Sequence, residues 1–421
     1  MRREKSLAYI LLTALLLRVL FALVLPAKGF IFSDARHYDQ AAKSLLAGEG
    51  LGPKYHRPPL YPLLMAGVYG LLGESFLAVR MAEAILGTLF CLLIFTVGKR
   101  VFNPTIGLIA AALAAVHPHF ILVAGILYPT HLYAILLAAM IWLLLRYDER
   151  NSFVDLIAAA VFAALAAYTV PALFFFLPFI LLWLLWKPTG FQAKASAVGL
   201  FSLIFLLALL PWTLHNYRLY GRLTLVQPVP HNVFPNLDNL QAQEEKIKSG
   251  FPEVTEYRKQ HPLGTDQDRL DRILLRYITH PWQSMRYLVG ELGHFWALYP
   301  DRLDTASAGY QQHITARDSR FVALKSQLWA AARMLSIAVM APVFFLALVG
   351  LVVTLPWQRG QGLILAVILS QAIGYSLIYA EVRYRIPIEP YVLMFTSAGA
   401  VWLKQRFDSR KIHQKLSETT P

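Results

Sequence analysis

Two adjacent stretches decide the fold: LAYILLTALLLRVLFALVL, Leu7–Leu25, and FSDARHYD, Phe32–Asp39. The first is apolar over the roughly 18–20 residues that a bilayer crossing requires. The second packs two aspartates, an arginine, a histidine and a tyrosine into eight positions. A hydrophobic span followed at once by a polar, ionisable rim is the pattern of a membrane protein with chemistry at its surface. Met1-Arg-Arg-Glu-Lys5 precedes the span as in a signal peptide. The run is long for that purpose, and Val24-Leu25-Pro26 lacks a small-x-small cleavage site, so it reads as a retained signal anchor.

The rest of the chain repeats the first theme. Its 421 residues are 57% hydrophobic. Apolar runs fall at 6–26, 79–98, 105–117, 121–146, 153–168, 171–186, 195–213, 329–355, 361–379 and 387–403. The expected architecture is an all-α polytopic membrane protein with about ten transmembrane helices, ten to thirteen in range. An N-terminal module, 1–213, carries the first outer loop at 27–78. A polar segment, 214–328, precedes the C-terminal helices, 329–403, and a basic tail, 404–421, expected to be disordered from Ser409. Within the polar segment Asp266–Thr279 has an amphipathic pattern. The single Cys91 lies in an apolar run and excludes an intrachain disulfide and any cysteine metal site.

Formal net charge is +14. Most of the excess sits where the positive-inside rule expects it: Arg2, Arg3, Lys5, Lys99, Arg100, Arg146, Arg150, Lys187, Lys194, Arg359 and the tail. These loops share one side if the count is ten, so both termini are expected in the cytoplasm of a multi-pass inner (plasma) membrane protein. Nothing calls for nucleic acid.

His56, Arg57, Arg383 and Arg385 break that bias on the outer side. Arginines at span ends can simply snorkel to headgroups. They also suit an anionic headgroup, because the guanidinium fork donates paired hydrogen bonds and stays charged. In the first outer loop, two short helices are expected. One starts near Ser33 or Asp34 and ends by Gly48 and Gly50. The other starts at Pro58-Pro59. Asp34, His37 and Tyr38 are spaced to share a face, whereas Asp39 points elsewhere. Asp34 can equally be a helix cap. Tyr128 and His131, with Thr130 and Tyr133, are expected at the same cavity or as interfacial anchors.

Taken in order, Asp34-Ala-Arg-His-Tyr-Asp39, Gly48-Glu-Gly50, Arg57-Pro-Pro-Leu-Tyr-Pro62, Arg80, Pro211-Trp-Thr-Leu-His-Asn-Tyr-Arg-Leu-Tyr-Gly221 and Glu381-Val-Arg-Tyr-Arg-Ile-Pro387 resemble the GT-C glycosyltransferases. The nearest likeness is the branch of protein O-mannosyltransferases and aminoarabinose transferases. The resemblance implies an inverting transfer of sugar from a polyprenyl-phosphate donor, on the periplasmic face, to a glycan, lipid or protein. By position it makes Asp34 the catalytic aspartate and Arg57, Arg383 and Arg385 the donor-phosphate residues. His37, Tyr38, Asp39, His56, Arg80, Tyr128, His131, His215 and Glu381 are supporting candidates. Three positions depart from many relatives: His215 stands for Arg in the Pro-Trp motif, Val170-Pro171 for Arg-Pro, and Tyr128-Pro-Thr-His131 lacks a Glu. No cofactor is required. A divalent cation is open to Asp34, His37 and Asp39, but their spacing is no recognised metal pattern. A lipid-saccharide flippase and a catalytically silent subunit are the alternatives. The early aspartate with Arg-Pro-Pro argues against a polymerase or ligase.

Overall fold

The computed structural model describes residues 2–25, 33–52, 55, 57–220, 224–226, 277–299 and 319–419. Among them every regular element is helical. The first, α1 (Arg2–Val24), buries Ala14, Arg18 and Ala22 at four-residue spacing and exposes Tyr9, Leu12, Leu16, Leu20 and Leu23. That is the inverse of a soluble helix. Small residues pack inward and large apolar ones face lipid, where association depends on close backbone approach.

The outer loop forms α2 (Ser33–Leu46) and α3 (Leu60–Leu72). Gly48 ends α2 in a left-handed conformation, φ 79°. Its N–H reaches the Leu45 carbonyl while the Glu49 N–H reaches Ser44. This pair of bonds satisfies carbonyls that the helix end leaves open, and only glycine takes that φ without strain. Pro58 and Pro59 set the entry to α3, whose first N–H, Leu60, donates to the Tyr168 carbonyl at 3.0 Å. The loop is thereby tied to the bundle.

The N-terminal bundle continues with α4 (Phe76–Val101), α5 (Pro104–Val116), α6 (Pro118–Val123), α7 (Thr130–Arg150), α8 (Phe153–Ala167), α9 (Leu173–Leu185) and α10 (Phe191–Tyr220). Gly98 of α4 and Gly107 of α5 touch so closely that a Cβ on either would lie under 3 Å from backbone. Asn103 caps α5 by accepting from Thr105 and Ile106 N–H. At its other end, Pro118 breaks the helix and strands the last carbonyls of α5. Arg18 donates to two of them, Ala114 at 3.2 Å and Ala115 at 3.1 Å. An unmet carbonyl in hydrocarbon costs several kcal/mol, so a buried arginine is the plug for this break.

After the polar segment come α11 (Pro281–Phe295), α12 (Ser319–Val353), α13 (Arg359–Ile378), the single-turn α14 (Val382–Arg385), a 3₁₀ turn at Ile386–Ile388, and α15 (Glu389–Thr419). Gly350 and Gly399 let α12 and α15 meet backbone to backbone. α11 docks on the outer end of α13: Tyr277 and Tyr287 donate to the carbonyls of Leu377 and Ile378, and Glu291 accepts from Ala380 N–H at 2.7 Å. Most of the amphipathic stretch Asp266–Thr279 lies outside the described residues.

One end of the bundle gathers the basic loops. Arg100 pairs with Glu149 at 2.7 Å, Arg146 with Asp155 at 3.0 Å, and Arg359 with Asp148 at 2.9 Å. Three sequence expectations change. Among the described residues, seven helices are long and apolar enough to cross a membrane by length and composition. The expected spans at 105–117, 153–168 and 171–186 are helices of 13, 15 and 13 residues, roughly 20 Å at 1.5 Å per residue and short of a bilayer core. The fourth expected span, 121–146, begins only at Thr130, because Leu127 adopts φ 48° and separates α6 from α7. The tail is helical to Thr419.

Candidate functional site

Two arginines meet around one series of tyrosines at the end of the bundle opposite the basic loops. Tyr38, on the buried face of α2, sits edge-on to Tyr61 of α3, centroids 5.1 Å apart, and to Tyr128 at 6.1 Å. The Arg57 guanidinium lies over the Tyr38 ring at 5.6 Å. Tyr128, Tyr133, Tyr384 and Arg383 all act electrostatically on the Tyr375 hydroxyl. Tyr375 stacks on Tyr384 with centroids 4.5 Å apart and planes 2° from parallel. Arg383 lies over the other ring of that pair, Tyr384, at 5.0 Å. The ring contacts of the first loop thus reach Tyr128, and those of the last loop reach Tyr375 of α13. A guanidinium over a tyrosine face is attracted by the ring and remains a cation.

Both arginines are partly exposed. Arg383 keeps 33% of its side-chain surface and contacts Glu381 at 2.6 Å. Arg57 also acts on Tyr55, whose phenol is pushed well above its usual value by burial, further raised by Tyr38 and opposed by Arg57. Tyr55 therefore stays a neutral donor, and its hydroxyl bonds the Pro58 carbonyl at 2.9 Å.

Arg385 differs. It is fully buried. Its Nε donates to Glu389 at 2.9 Å and its Nη1 to the carbonyls of Phe295 and Ala297 at 2.6 and 2.9 Å. Phe344 lies 4.9 Å beneath it. It binds α11 to the start of α15 and so fixes the short turn carrying Arg383.

The remaining sequence candidates scatter. Asp34 lies in the first turn of α2, but its side chain, like all of His56, lies outside the described residues. His37 is exposed while Tyr38 is buried. Asp39 is buried, accepts from Tyr69 at 2.7 Å and pairs with Lys43 at 3.1 Å, so it fastens α2 to α3. Arg80 is buried and donates to the Gly125 carbonyl at 3.1 Å, next to the end of α6. His131 is enclosed, with Nδ1 3.0 Å from Glu83 and Nε2 3.1 Å from the Phe120 carbonyl. His215 stacks on Trp212 at 4.6 Å, and Val170 is half-buried.

Four ionisable residues were missed: Glu83, His117, His119 and Glu389. His117 and His119 flank the α5–α6 break. His119 Nδ1 contacts both oxygens of Glu389 at 3.0 Å. The available signal was their position: ionisable groups within or beside apolar helices are rare and usually have a purpose.

An all-helical, multi-pass bundle with two short helices in the loop after its first span is the GT-C fold. Residues 56–215 match the family model for dolichyl-phosphate-mannose-protein mannosyltransferase, so the chain is similar to the protein O-mannosyltransferases, as its motifs suggest. No curated protein matches the chain. Among solved structures, the archaeal oligosaccharyltransferase AglB from Archaeoglobus fulgidus, in complex with an inhibitory peptide and a dolichol-phosphate, superposes with a TM-score of 0.60 at 12% identity. The match covers 100% of this chain and 52% of AglB. ArnT from Cupriavidus metallidurans, bound to undecaprenyl phosphate, gives a TM-score of 0.54 at 12% identity over 96% of this chain and 63% of its own. The chain thus spans about half the length of AglB, and at these identities the likeness is one of fold.

Proposed function

We propose that this chain is a membrane glycosyltransferase that moves a sugar from a polyprenyl-phosphate donor to an extracytoplasmic acceptor, with inversion. The observation that supports it is a pair of half-buried arginines, Arg57 and Arg383, each lying over a tyrosine ring. A lipid phosphate leaving group needs little protonation, so a catalyst must hold the phosphate and offset its growing charge. Two half-exposed guanidinia are suited to that. The solved neighbours were captured with dolichol-phosphate and undecaprenyl phosphate, and a donor of that kind supports the same reading here.

Asp34 is the proposed general base for a hydroxyl acceptor. It opens α2 one turn before Tyr38, the ring that Arg57 covers. Arg385 takes a positioning role in this proposal rather than a phosphate contact. The polar segment 214–328 is proposed to help admit the acceptor, with α11 as its dock. Both termini and the basic loops are assigned to the cytoplasm. Labelling of a cysteine introduced at position 240 from that side alone would overturn the assignment.

The decisive experiment incubates purified protein with polyprenyl-phosphate sugars extracted from membranes, together with candidate acceptors. A mass shift of one sugar residue is expected on an acceptor, and it should vanish in Asp34→Asn. Donor binding without any transfer to any acceptor would instead favour the silent-subunit or flippase reading.

A further inference from the structure

The break between α5 and α6 brings together a group that the proposed sugar transfer does not use. His117, His119 and Glu389 each offer one atom, and these atoms lie within 4.8 Å of one another. All three come from fixed backbone: His117 is the residue before Pro118, His119 is in the first turn of α6, and Glu389 opens α15. His119 Nδ1 is 3.0 Å and His117 Nδ1 3.8 Å from Glu389 Oε2. The two rings are 5.1 Å apart.

His117 is the informative member. It is 4% exposed, and neither ring nitrogen has a hydrogen-bond partner. Buried polar atoms almost always find one, so an orphan imidazole asks for a missing ligand. Packing on Phe120 and His119 accounts for the ring but not for its nitrogens. Glu389 is arranged to serve as well. Arg385 holds its Oε1 at 2.9 Å and leaves Oε2 towards the histidines. A ligating carboxylate steadied by an outer hydrogen bond is the usual support of a metal site.

We propose that His117, His119 and Glu389 form a divalent transition-metal site, zinc being the first choice, which clamps the α5–α6 break to the start of the last span. Two ligands on one zinc at about 2.0–2.1 Å, 90–109° apart, are separated by roughly 3.0–3.4 Å. The observed spacings need only side-chain adjustment. The ion takes the place between His119 Nδ1 and Glu389, and a neutral His119 then carries its N–H on Nε2. Two imidazoles with one carboxylate favour zinc, cobalt or nickel. Arg385 adds an opposing charge, and calcium or magnesium would find too few oxygens. The fourth position is open to water. This site stands independently of the glycosyltransferase reading.

The test uses the full chain in detergent, stripped with chelator and dialysed against buffered zinc. One zinc per chain and a raised Tm are expected, with magnesium and calcium giving no shift. His117→Gln should fold normally without metal, since its nitrogens make no hydrogen bonds, yet bind zinc at least about tenfold more weakly. His280→Ala, at a partly exposed histidine ahead of α11, should bind as wild type. X-ray absorption of the zinc-loaded wild type should show two imidazoles and needs no variant. No zinc uptake, equal uptake by His117→Gln, or fewer than two imidazoles at the metal would overturn the site.

Discussion

The arginines of this protein divide into two sets. Arg18, Arg80 and Arg385 are fully buried, and each spends donors on carbonyls at or beside a helix break. Arg57 and Arg383 are half-buried at the end of the bundle away from the basic loops and lie over tyrosine rings. The first set repairs backbone: each helix break leaves carbonyls that hydrocarbon cannot solvate. The second set lies against aromatic faces and keeps part of its surface exposed, Arg383 also pairing with Glu381. The same residue type is thus a plug in one region and a proposed anion holder in another. What separates the two is full burial against carbonyls on one side and partial exposure over a ring on the other.

The largest expected effect breaks the chemistry at the rim without touching either set. Asp34→Asn keeps volume and most capping capacity but removes a base. A rate loss on the order of 10²–10⁴ is expected with donor binding intact. A helix cap alone would cost only about 1–2 kcal/mol of stability and leave the rate nearly unchanged. Near wild-type turnover on a hydroxyl acceptor would end the base assignment.

Next comes the plug. Arg385→Ala leaves Glu389 buried beside its histidines and strips the carbonyls of Phe295 and Ala297. Removing one partner of a buried pair typically costs about 3–5 kcal/mol, so a large drop in Tm is expected. Arg385→Lys offers the sharper comparison. If it folds normally but loses donor affinity, Arg385 belongs with the anion holders after all.

The rim arginines should show the reverse pattern. Arg57→Ala is expected to weaken donor binding by roughly ten- to a hundredfold, the worth of a charge-assisted bond at about 1.5–3 kcal/mol, with little change in Tm. Arg57→Lys should lose less, since it keeps the charge and gives up the fork. Unchanged donor affinity in both Arg57→Ala and Arg383→Ala would remove the phosphate site.

Much of this division was open to a sequence reader, and the limits have physical causes. Leu7–Leu25 declared a membrane protein, and Arg57-Pro-Pro and Glu381-Val-Arg-Tyr-Arg marked the two loops that carry arginines over tyrosine rings. Pro118, after the short run 105–117, pointed to a tilted or broken helix there, but no local pattern showed that the next run, 121–146, divides at Leu127. Nor could any local pattern pair His119 with Glu389, 270 positions away. Arg383 and Arg385 read alike in sequence, two residues apart. Only the docking of α11 shows that one faces the tyrosines and the other is sealed against Phe344 and two carbonyls. The helical tail was missed because its charge and polarity resemble a disordered terminus.

The smallest expected effect concerns the rim scaffold. Lys43 bridges Asp39 at 3.1 Å and Glu74 at 3.5 Å while 42% of its side chain stays exposed. Burial acts to lower its pKa, but the carboxylates of Asp39 and Glu74 prevail and raise it above the usual 10.5. A raised lysine pKa means the folded state holds the proton more tightly than the unfolded chain. Its stabilisation is complete below the unfolded pKa and disappears as pH climbs through the folded one, above 10.5. An exposed pair of this kind is worth about 0–1 kcal/mol. Lys43→Met should therefore lower Tm slightly at pH 7, less in high salt, and the gap from wild type should close in strongly alkaline buffer. Asp39 itself would remain bonded to Tyr69, so donor affinity should not change. A gap that persisted above pH 11, or a loss of donor binding at pH 7, would mean that Lys43 acts on the rim other than through this ion pair.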